Sequence, residues 1–295
     1  MAAEQNARIE DLVASDIKKY KGVAVPVKAS LLERIFVGTV NCSKLHPNWE
    51  DEFCSPEVGP SHEIIHEYEE LFLESGRKIL PPFSEPLVVE KMLPDGYLIL
   101  NGHHRWAAAM RYGYKKVPVR IVNLTQEIDV VNMVEKSNRN KRVAIDLDSV
   151  VFMGKDAPEE AMEKKLPLIS GMKFPERLKK GIPALFRFLT KHGYDIWLYT
   201  EEYYSMDYIK ALFFRYHARV DGIVTGTARK GVNDPQIRAR VGELIAAQYD
   251  ETVNLDNEAI ISIRGRKPES FDLNVPDAEW SKAVMDYIEK KEKLA

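Results

Sequence analysis

Hydrophobic residues in the first half of the chain follow a helical period in some segments and form short runs in others. Ile9, Leu12, Val13 and Ile17 share a helical face, which predicts a helical lead-in over residues 1–20. Helices are also predicted for HEIIHEYEELFLESG, with Gly76 as its C-cap, and for HRWAAAMRYG. Strands are predicted for VAVPVKAS, EPLVVEKM, GYLILN and KVPVRIVN. Residues 41–61 carry three prolines and no period, which predicts loop.

The second half alternates between apolar runs and helical patterns. RVAIDLD, YDIWLYT, VDGIVTG and ETVNLDN are predicted strands, and IPALFRFLTKHG, SMDYIKALFFRYH and DPQIRARVGELIAAQ are predicted helices. This alternation indicates a doubly wound α/β sheet. A last helix is predicted in DAEWSKAVMDYIEKKEK. Its apolar face consists of Trp280, Val284, Tyr287 and Ile288. This face either packs internally or pairs with a second copy of the chain.

These patterns divide the chain into parts with different architecture. Residues 1–20 are the lead-in, 21–124 a small α+β domain, 125–141 a helical linker, and 142–295 an α/β domain. The segment between the first strand of the α/β domain and its next helix is too short for a large cap domain. We therefore expect an open site.

Composition and charge narrow the function classes. The chain has 295 residues and a formal net charge of −3, which does not favour a protein that coats DNA with a basic face. Its two cysteines, Cys42 and Cys54, form no CxxC motif, so no disulfide framework is predicted and a reducing cytoplasm is expected. Without a signal-peptide pattern or a long apolar run, we expect a cytoplasmic protein with no membrane partner.

Polar residues of the types that take part in phosphoryl transfer lie at successive strand ends of the α/β domain. Asp146 and Asp148 follow the first strand, Thr200 ends the second, Lys230 follows the third and Asp256 ends the fourth. The carboxyl ends of parallel strands form one edge, where ligands bind in such sheets. Two carboxylates there suit a divalent metal, or a nucleophile with a general acid/base.

AIDLDSVVF resembles the first motif of the haloacid dehalogenase (HAD) superfamily, and Thr200, Lys230 and Asp256 match its later motifs. The resemblance covers about residues 141–265. It implies that Asp146 is a nucleophile forming an aspartyl-phosphate and that Asp148 is the general acid/base.

The same resemblance implies that Thr200 and Lys230 hold phosphoryl oxygens, with Arg229 as the alternative cation to Lys230. Mg²⁺ would be bound by Asp146, Asp256 and the Asp148 backbone carbonyl. Asn257 stands where the fourth motif often has a second acid.

A second candidate site lies in the first half, in LNGHHRW. Gly102 joins a predicted strand to a helix, and amides that open a helix favour anions. Arg105 has the geometry to bind phosphate oxygens in a bidentate manner, and the two histidines are candidate proton donors. The alternative is a hydrogen-bonded turn with one buried histidine.

Residues 22–124 resemble the ParB/sulfiredoxin superfamily, in which such a turn cradles nucleotide phosphates. Asn101, Gly102, His103, His104 and Arg105 would then bind the phosphates of ATP or ADP. His103 stands where sulfiredoxin has its reactive cysteine. The GHHR turn is similar to that of the free serine kinase branch, whose base is a loop glutamate.

That kinase resemblance points to Glu57 in PEVGPSHEIIHEYEELF as the base. Asn101 stands where those kinases usually carry an acid.

Together these features predict a bifunctional, Mg²⁺-dependent enzyme: a HAD-type phosphatase fused to a nucleotide-binding domain with kinase or ATPase activity. Its expected partners are a phosphorylated small molecule or a nucleotide. Two alternatives remain, namely a nucleic-acid-binding regulator and a phosphatase that processes nucleic-acid ends.

Overall fold

The computed structural model describes residues 2–227, 235–265 and 267–294. The chain forms two compact units, of which the first ends at Asn123 and the second begins at Leu124. Each unit has its own hydrophobic core. Within the described ranges, no helix combines the length and the apolar character that crossing a bilayer requires.

The first unit is a mixed α/β unit. Its helices are α1 (Ala2–Tyr20), α2 (Leu31–Phe36), α3 (His62–Ser75) and α4 (His103–Tyr112). Its strands are β1 (Val25–Pro26), β2 (Thr39–Asn41), β3 (Leu45–Pro47), β4 (Leu87–Leu93), β5 (Tyr97–Asn101) and β6 (Lys116–Val122).

The sheet of this unit has the order β2-β6-β4-β5-β3, and β1 pairs with the end of β4. The helical lead-in, the β4–β5 hairpin and the helices that end at Gly76 and Gly113 are confirmed. The prediction that 41–61 is loop throughout is wrong, because β3 pairs in parallel with β5. Pro47 ends that edge strand, a place where proline is tolerated.

The second unit contains helices α5 (Glu127–Glu135), α6 (Leu168–Lys173), α7 (Ile182–Lys191), α8 (Met206–Arg215), α9 (Pro235–Gln248) and α10 (Asp277–Leu294). Its strands are β7 (Lys141–Asp146), β8 (Phe152–Met153), β9 (Arg177–Leu178), β10 (Tyr194–Thr200), β11 (Gly222–Thr225), β12 (Glu251–Leu255), β13 (Ala259–Arg264) and β14 (Lys267–Asp272).

The main sheet of this unit has the order β11-β10-β7-β12-β13-β14. Strands β11, β10, β7 and β12 run in parallel, as the alternating pattern predicts. Strands β13 and β14 extend the sheet in the antiparallel sense, which the sequence did not indicate. The exposed residues of β14 carry no period that separates this edge strand from loop.

Helices α10 and α5 both pack within the second unit. In α10, Trp280, Val284 and Ile288 are buried in the core of the second unit, so this face packs internally. Helix α5 lies in the segment predicted as a linker, but it belongs to the second unit. Its Val130 and Val134 pack with Trp197, and Thr125 just before it donates to the carbonyl of Ile223.

Candidate functional site

The GHHR turn lies where β5 leads directly into α4. Gly102 is the N-cap of α4 and has φ 102°, a conformation that favours glycine. A β-carbon at Gly102 would lie 2.4 Å from Leu87 Cδ2 and 2.9 Å from Arg105 Nη2. No side chain caps this helix end, so the amides of the first turn are the donors that it offers to an anion.

The two histidines of the turn fasten a loop to the start of α4. His103 Nε2 accepts a hydrogen bond from the amide of Asn48 (3.1 Å), and His104 Nε2 accepts one from the amide of Ser61 (3.0 Å). Phe53 stacks on His103 and meets His104 edge-on. The 48–61 loop is therefore held beside the turn by both rings.

Burial favours the neutral form of both imidazoles and lowers their pKa values. It lowers the pKa of His103 to about 4, and Asp51 opposes this shift only in part. It also lowers the pKa of His104. Because an amide donates to Nε2 in both rings, that nitrogen carries no proton. Neither Nε2 can thus donate to a phosphate in this arrangement, and the donor of each neutral ring is its Nδ1.

Arg105 and Asn101 stabilise the turn from inside. Arg105 is 9% exposed and donates to the carbonyl of Glu85 and, at 3.1 Å, to Asn101 Oδ1. Its guanidinium lies 5.8 Å from the ring centre of Phe83. Asn101 thus accepts the guanidinium bond that an acid at this position would also accept. Direct phosphate binding by Arg105 stays a prediction.

Glu57 is exposed and lies in the 48–61 loop, where its amide donates to Ser55 Oγ. The same loop includes Cys54, whose pKa burial raises to about 12, and burial raises that of Cys42 to about 11. Thiolate chemistry of the sulfiredoxin kind is therefore disfavoured at both cysteines.

In the second unit, Asp146 ends the central strand β7 and caps the helical turn that follows. The amide and the hydroxyl of Ser149 each donate to Asp146 Oδ1 at 2.7 Å. Asp146 Oδ2 has no hydrogen-bond partner within the described part of the chain. The sequence did not single out Ser149, because an N-cap aspartate can accept from the backbone amide of any residue three positions on.

Asp148 contacts the end of the neighbouring strand. Thr200 Oγ1 lies 2.9 and 2.8 Å from its carboxylate oxygens, and the Glu201 amide donates to Asp148 Oδ2 at 2.9 Å. The Glu202 amide donates in turn to Thr200 Oγ1. The structure thus brings Asp148 and Thr200 together, as strand order predicts, but the Thr200 hydroxyl is engaged by the carboxylate.

Asp256 directly follows β12, which pairs with β7 so that Leu255 lies opposite Ile145. Asp146 and Asp256, each one residue further on, therefore end adjacent strands. Among the residues in the described ranges, no group of three or more His, Cys, Asp or Glu side chains is arranged around one metal position. Mg²⁺ needs fewer protein ligands, since it often binds through one or two carboxylates and keeps its waters.

The predicted phosphate-binding cation cannot be placed. Lys230 and its alternative Arg229 both lie outside the described residues.

Asn257, beside Asp256, donates from Nδ2 to the Ser149 carbonyl at 2.7 Å. It therefore links the end of β12 to the turn that holds Asp146.

Comparisons with known proteins bear on the first unit. Residues 81–137 match the ParB N-terminal domain family, and this segment extends past Asn123 into the second unit. A segment of 33 residues is 54% identical to an ATP-dependent L-serine kinase of Staphylothermus marinus. That segment is 11% of this chain and 13% of the relative, so the chain matches a small part of that enzyme. The similarity supports the N-terminal part of the predicted resemblance.

Two solved structures are similar over most of their length at low identity. A free serine kinase in complex with AMP is 14% identical, with a TM-score of 0.23, covering 86% of this chain and 95% of that one. A conserved hypothetical protein from Pyrococcus furiosus is also 14% identical, with a TM-score of 0.23 and coverages of 84% and 97%. These scores are too low to indicate a shared arrangement of the whole chain.

Proposed function

We propose that this chain is a phosphoryl-transfer enzyme whose first unit binds ATP at the start of α4. The observation that carries the proposal is the helix start at Gly102, where, among the described residues, no side-chain cap bonds to the N-terminus of α4. Phosphates bind readily at such ends, because the amides and the helix dipole both favour negative charge. The matches to the ParB N-terminal domain and to an ATP-dependent kinase support this choice of ligand.

The surrounding residues have distinct parts in this proposal. Gly102 lets the backbone approach the phosphates, and Arg105 with Asn101 holds the turn in shape. His103 and His104 keep the 48–61 loop beside the nucleotide. Glu57 in that loop is the proposed base for a hydroxyl-bearing acceptor, which the kinase similarity suggests is a small molecule such as free L-serine. Mg²⁺ bound to the nucleotide would neutralise phosphate charge.

Calorimetric titration with ATP, ADP and AMP tests the binding step. We expect binding by the wild type and its loss in Gly102→Ala.

The transfer step is tested by ³²P transfer from ATP to free serine. Glu57→Gln should abolish transfer and leave ATP binding intact. Wild-type protein that binds none of the three nucleotides would contradict the proposal.

We propose a second activity for the second unit, hydrolysis of a phosphomonoester through an aspartyl-phosphate. The specific observation in its favour is that Thr200 and the Glu201 amide engage Asp148 beside Asp146, at the edge where parallel strands β7 and β10 end. Carboxylates and a hydroxyl at this edge fit phosphoryl chemistry. The HAD resemblance of AIDLDSVVF gives the roles.

In this reaction, Asp146 Oδ2 attacks phosphorus and the bond to the leaving oxygen breaks. Asp148 gives its proton to the leaving group and then takes one from the water that hydrolyses the aspartyl-phosphate. Asp146 and Asp256 fit Mg²⁺, since both are oxygen donors at adjacent strand ends, and the ion would offset phosphate charge.

Hydrolysis of p-nitrophenyl phosphate with Mg²⁺ tests this second activity. We expect Asp146→Asn to lower kcat roughly 10⁴-fold, because the nucleophile is lost. The matched control is Asp156→Asn, an exposed aspartate in the following loop, which should hydrolyse like the wild type. Equal turnover of the wild type and Asp146→Asn would exclude the aspartyl-phosphate route.

A further inference from the structure

Lys179 is a buried cation of the second unit with no role in either proposed reaction. It is 2% exposed and lies just before α7. Its Nζ donates to Asn257 Oδ1 at 2.6 Å and to Asp277 Oδ1 at 2.8 Å, and it lies 5.1 Å from the ring centre of Trp280. Lys179 therefore joins the end of β12 to the start of α10.

A continuous path of hydrogen bonds runs from Lys179 to Asp146. Lys179 holds the Asn257 carbonyl oxygen, and Asn257 Nδ2 donates to the Ser149 carbonyl at 2.7 Å. Ser149 in turn donates its amide and its hydroxyl to Asp146 Oδ1. Each link fixes the next group, since the amide of Asn257 can only donate to Ser149 when its oxygen faces Lys179.

Stability alone does not account for a charge at this position. Burial costs the Lys179 ammonium its hydration, and a single half-exposed carboxylate repays that cost poorly. The partner carboxylate of Asp277 is 51% exposed and would stay hydrated without Lys179. A methionine here would keep the packing against Trp280.

We propose that Lys179 is a positioning residue for Asp146. Through Asn257 it fixes the Ser149 carbonyl, and thereby the amide and hydroxyl that hold Asp146 Oδ1. Because Oδ1 is held in this way, the turn orients the other carboxylate oxygen, Asp146 Oδ2, as the attacking oxygen. The chemical consequence rests on the proposed phosphatase activity, whereas the geometry of the path does not.

The test compares Lys179→Met with Lys180→Met, which removes the adjacent, exposed lysine. Amide exchange of Ser149, followed by NMR in the full chain, reports the bond to Asp146 without any assay of activity. We expect this exchange to be about tenfold faster in Lys179→Met than in the wild type, and unchanged in Lys180→Met. We also expect kcat for p-nitrophenyl phosphate to fall about tenfold at nearly constant KM.

A second variant separates the path from the buried charge. In Asn257→Asp the new carboxylate still accepts from Lys179 but cannot donate to the Ser149 carbonyl, so Ser149 exchange should again be faster. Unchanged Ser149 exchange in Asn257→Asp overturns the inference, even if Lys179→Met does not fold. A lower melting temperature of Lys179→Met with unchanged Ser149 exchange also overturns it. A wild type without hydrolysis sinks the proposed phosphatase, while the exchange measurement still decides the positioning role.

Discussion

His103 and His104 are adjacent in the sequence, yet each fastens a different part of one loop. The first accepts from Asn48 and the second from Ser61. This division is possible because consecutive residues of a helix point in different directions. In the structure, each of these neighbouring imidazoles therefore holds the loop by one hydrogen bond.

Acid is expected to weaken the fold of the first unit through His103. In the unfolded chain this imidazole takes up a proton near its ordinary pKa of 6.5, whereas burial keeps it neutral in the folded chain down to about pH 4. The unfolded state therefore binds more protons between these values. Stability should fall as the pH drops from about 6.5 to about 4, by about 3 kcal/mol at most.

Urea unfolding at several pH values measures this dependence. The control is His103→Gln, whose amide oxygen can accept from Asn48 but does not titrate. This variant should show a clearly shallower dependence between pH 4 and pH 6.5. A slope equal to that of the wild type would assign the acid sensitivity to other groups.

Gly102→Ala should destabilise the first unit more than Gly113→Ala does. Both glycines have positive φ, 102° and 94°, but a β-carbon at Gly102 overlaps Leu87, and one at Gly113 meets no atom within 4 Å. We expect a loss of about 3 kcal/mol or more at Gly102, from strain and overlap together. The loss at Gly113 should be about 1 kcal/mol. Chemical denaturation of both variants checks this order.

At the scale of elements, parallel strand ends of the second unit bring the residues of the proposed phosphatase site to one edge. Strands β7, β10 and β12 are parallel neighbours, so Asp146, Thr200 and Asp256 come to one edge without any long-range signal in the sequence. The order of motifs was enough to predict this, since parallel strands with helical crossovers all end on the same side.

Thr200→Val should slow hydrolysis by the second unit about 10- to 100-fold, because Asp148 loses a charge-assisted hydrogen bond. The control is Thr190→Val in α7. The Thr190 hydroxyl is buried without a hydrogen-bond partner, so its replacement by a methyl group should leave stability unchanged or slightly raised. Steady-state kinetics and melting curves of the two variants measure both effects. Equal rates of hydrolysis in the two variants would show that Thr200 has no part in the proposed reaction.

The sequence predicted most elements but few of the contacts between them. Periodicity and glycine caps located α3, α4 and the parallel strands, because each has one buried face or a defined end. It missed β3 and β14, since short edge strands take their pairing from neighbours rather than from their own pattern. The bonds of His103 and Arg105 join distant segments, so no local pattern could indicate them.

At the scale of the whole molecule, the chain forms one core from residues before the end of β6 and another from residues after it. The first core gathers around Trp106 and Phe72, and the second around Trp280, Phe186 and the parallel strands. Among the described residues, no member of either core comes from the other unit. Each unit therefore has the internal packing that an independently folding domain needs.

The place of α5 can be tested with two fragments. A fragment of residues 124–295 keeps Val130 and Val134 against Trp197, whereas one of residues 142–295 lacks them. Since burying a valine contributes about 1.5–3 kcal/mol, the longer fragment should be more stable by several kcal/mol. Equal unfolding midpoints in urea would return residues 125–141 to the role of a linker.

Helix α10 contacts the strand edge that carries Asp146 and Asp256, and it is synthesised after the strands of that edge. Trp280 donates to the Asp256 carbonyl, and Asp277 completes the surroundings of Lys179, although β7 and β10 precede them by many residues. Because synthesis proceeds from the N-terminus, a nascent second unit has its aspartates before it has these supports. The surroundings of Asp146 and Asp256 are thus complete only after α10 has been synthesised and has docked.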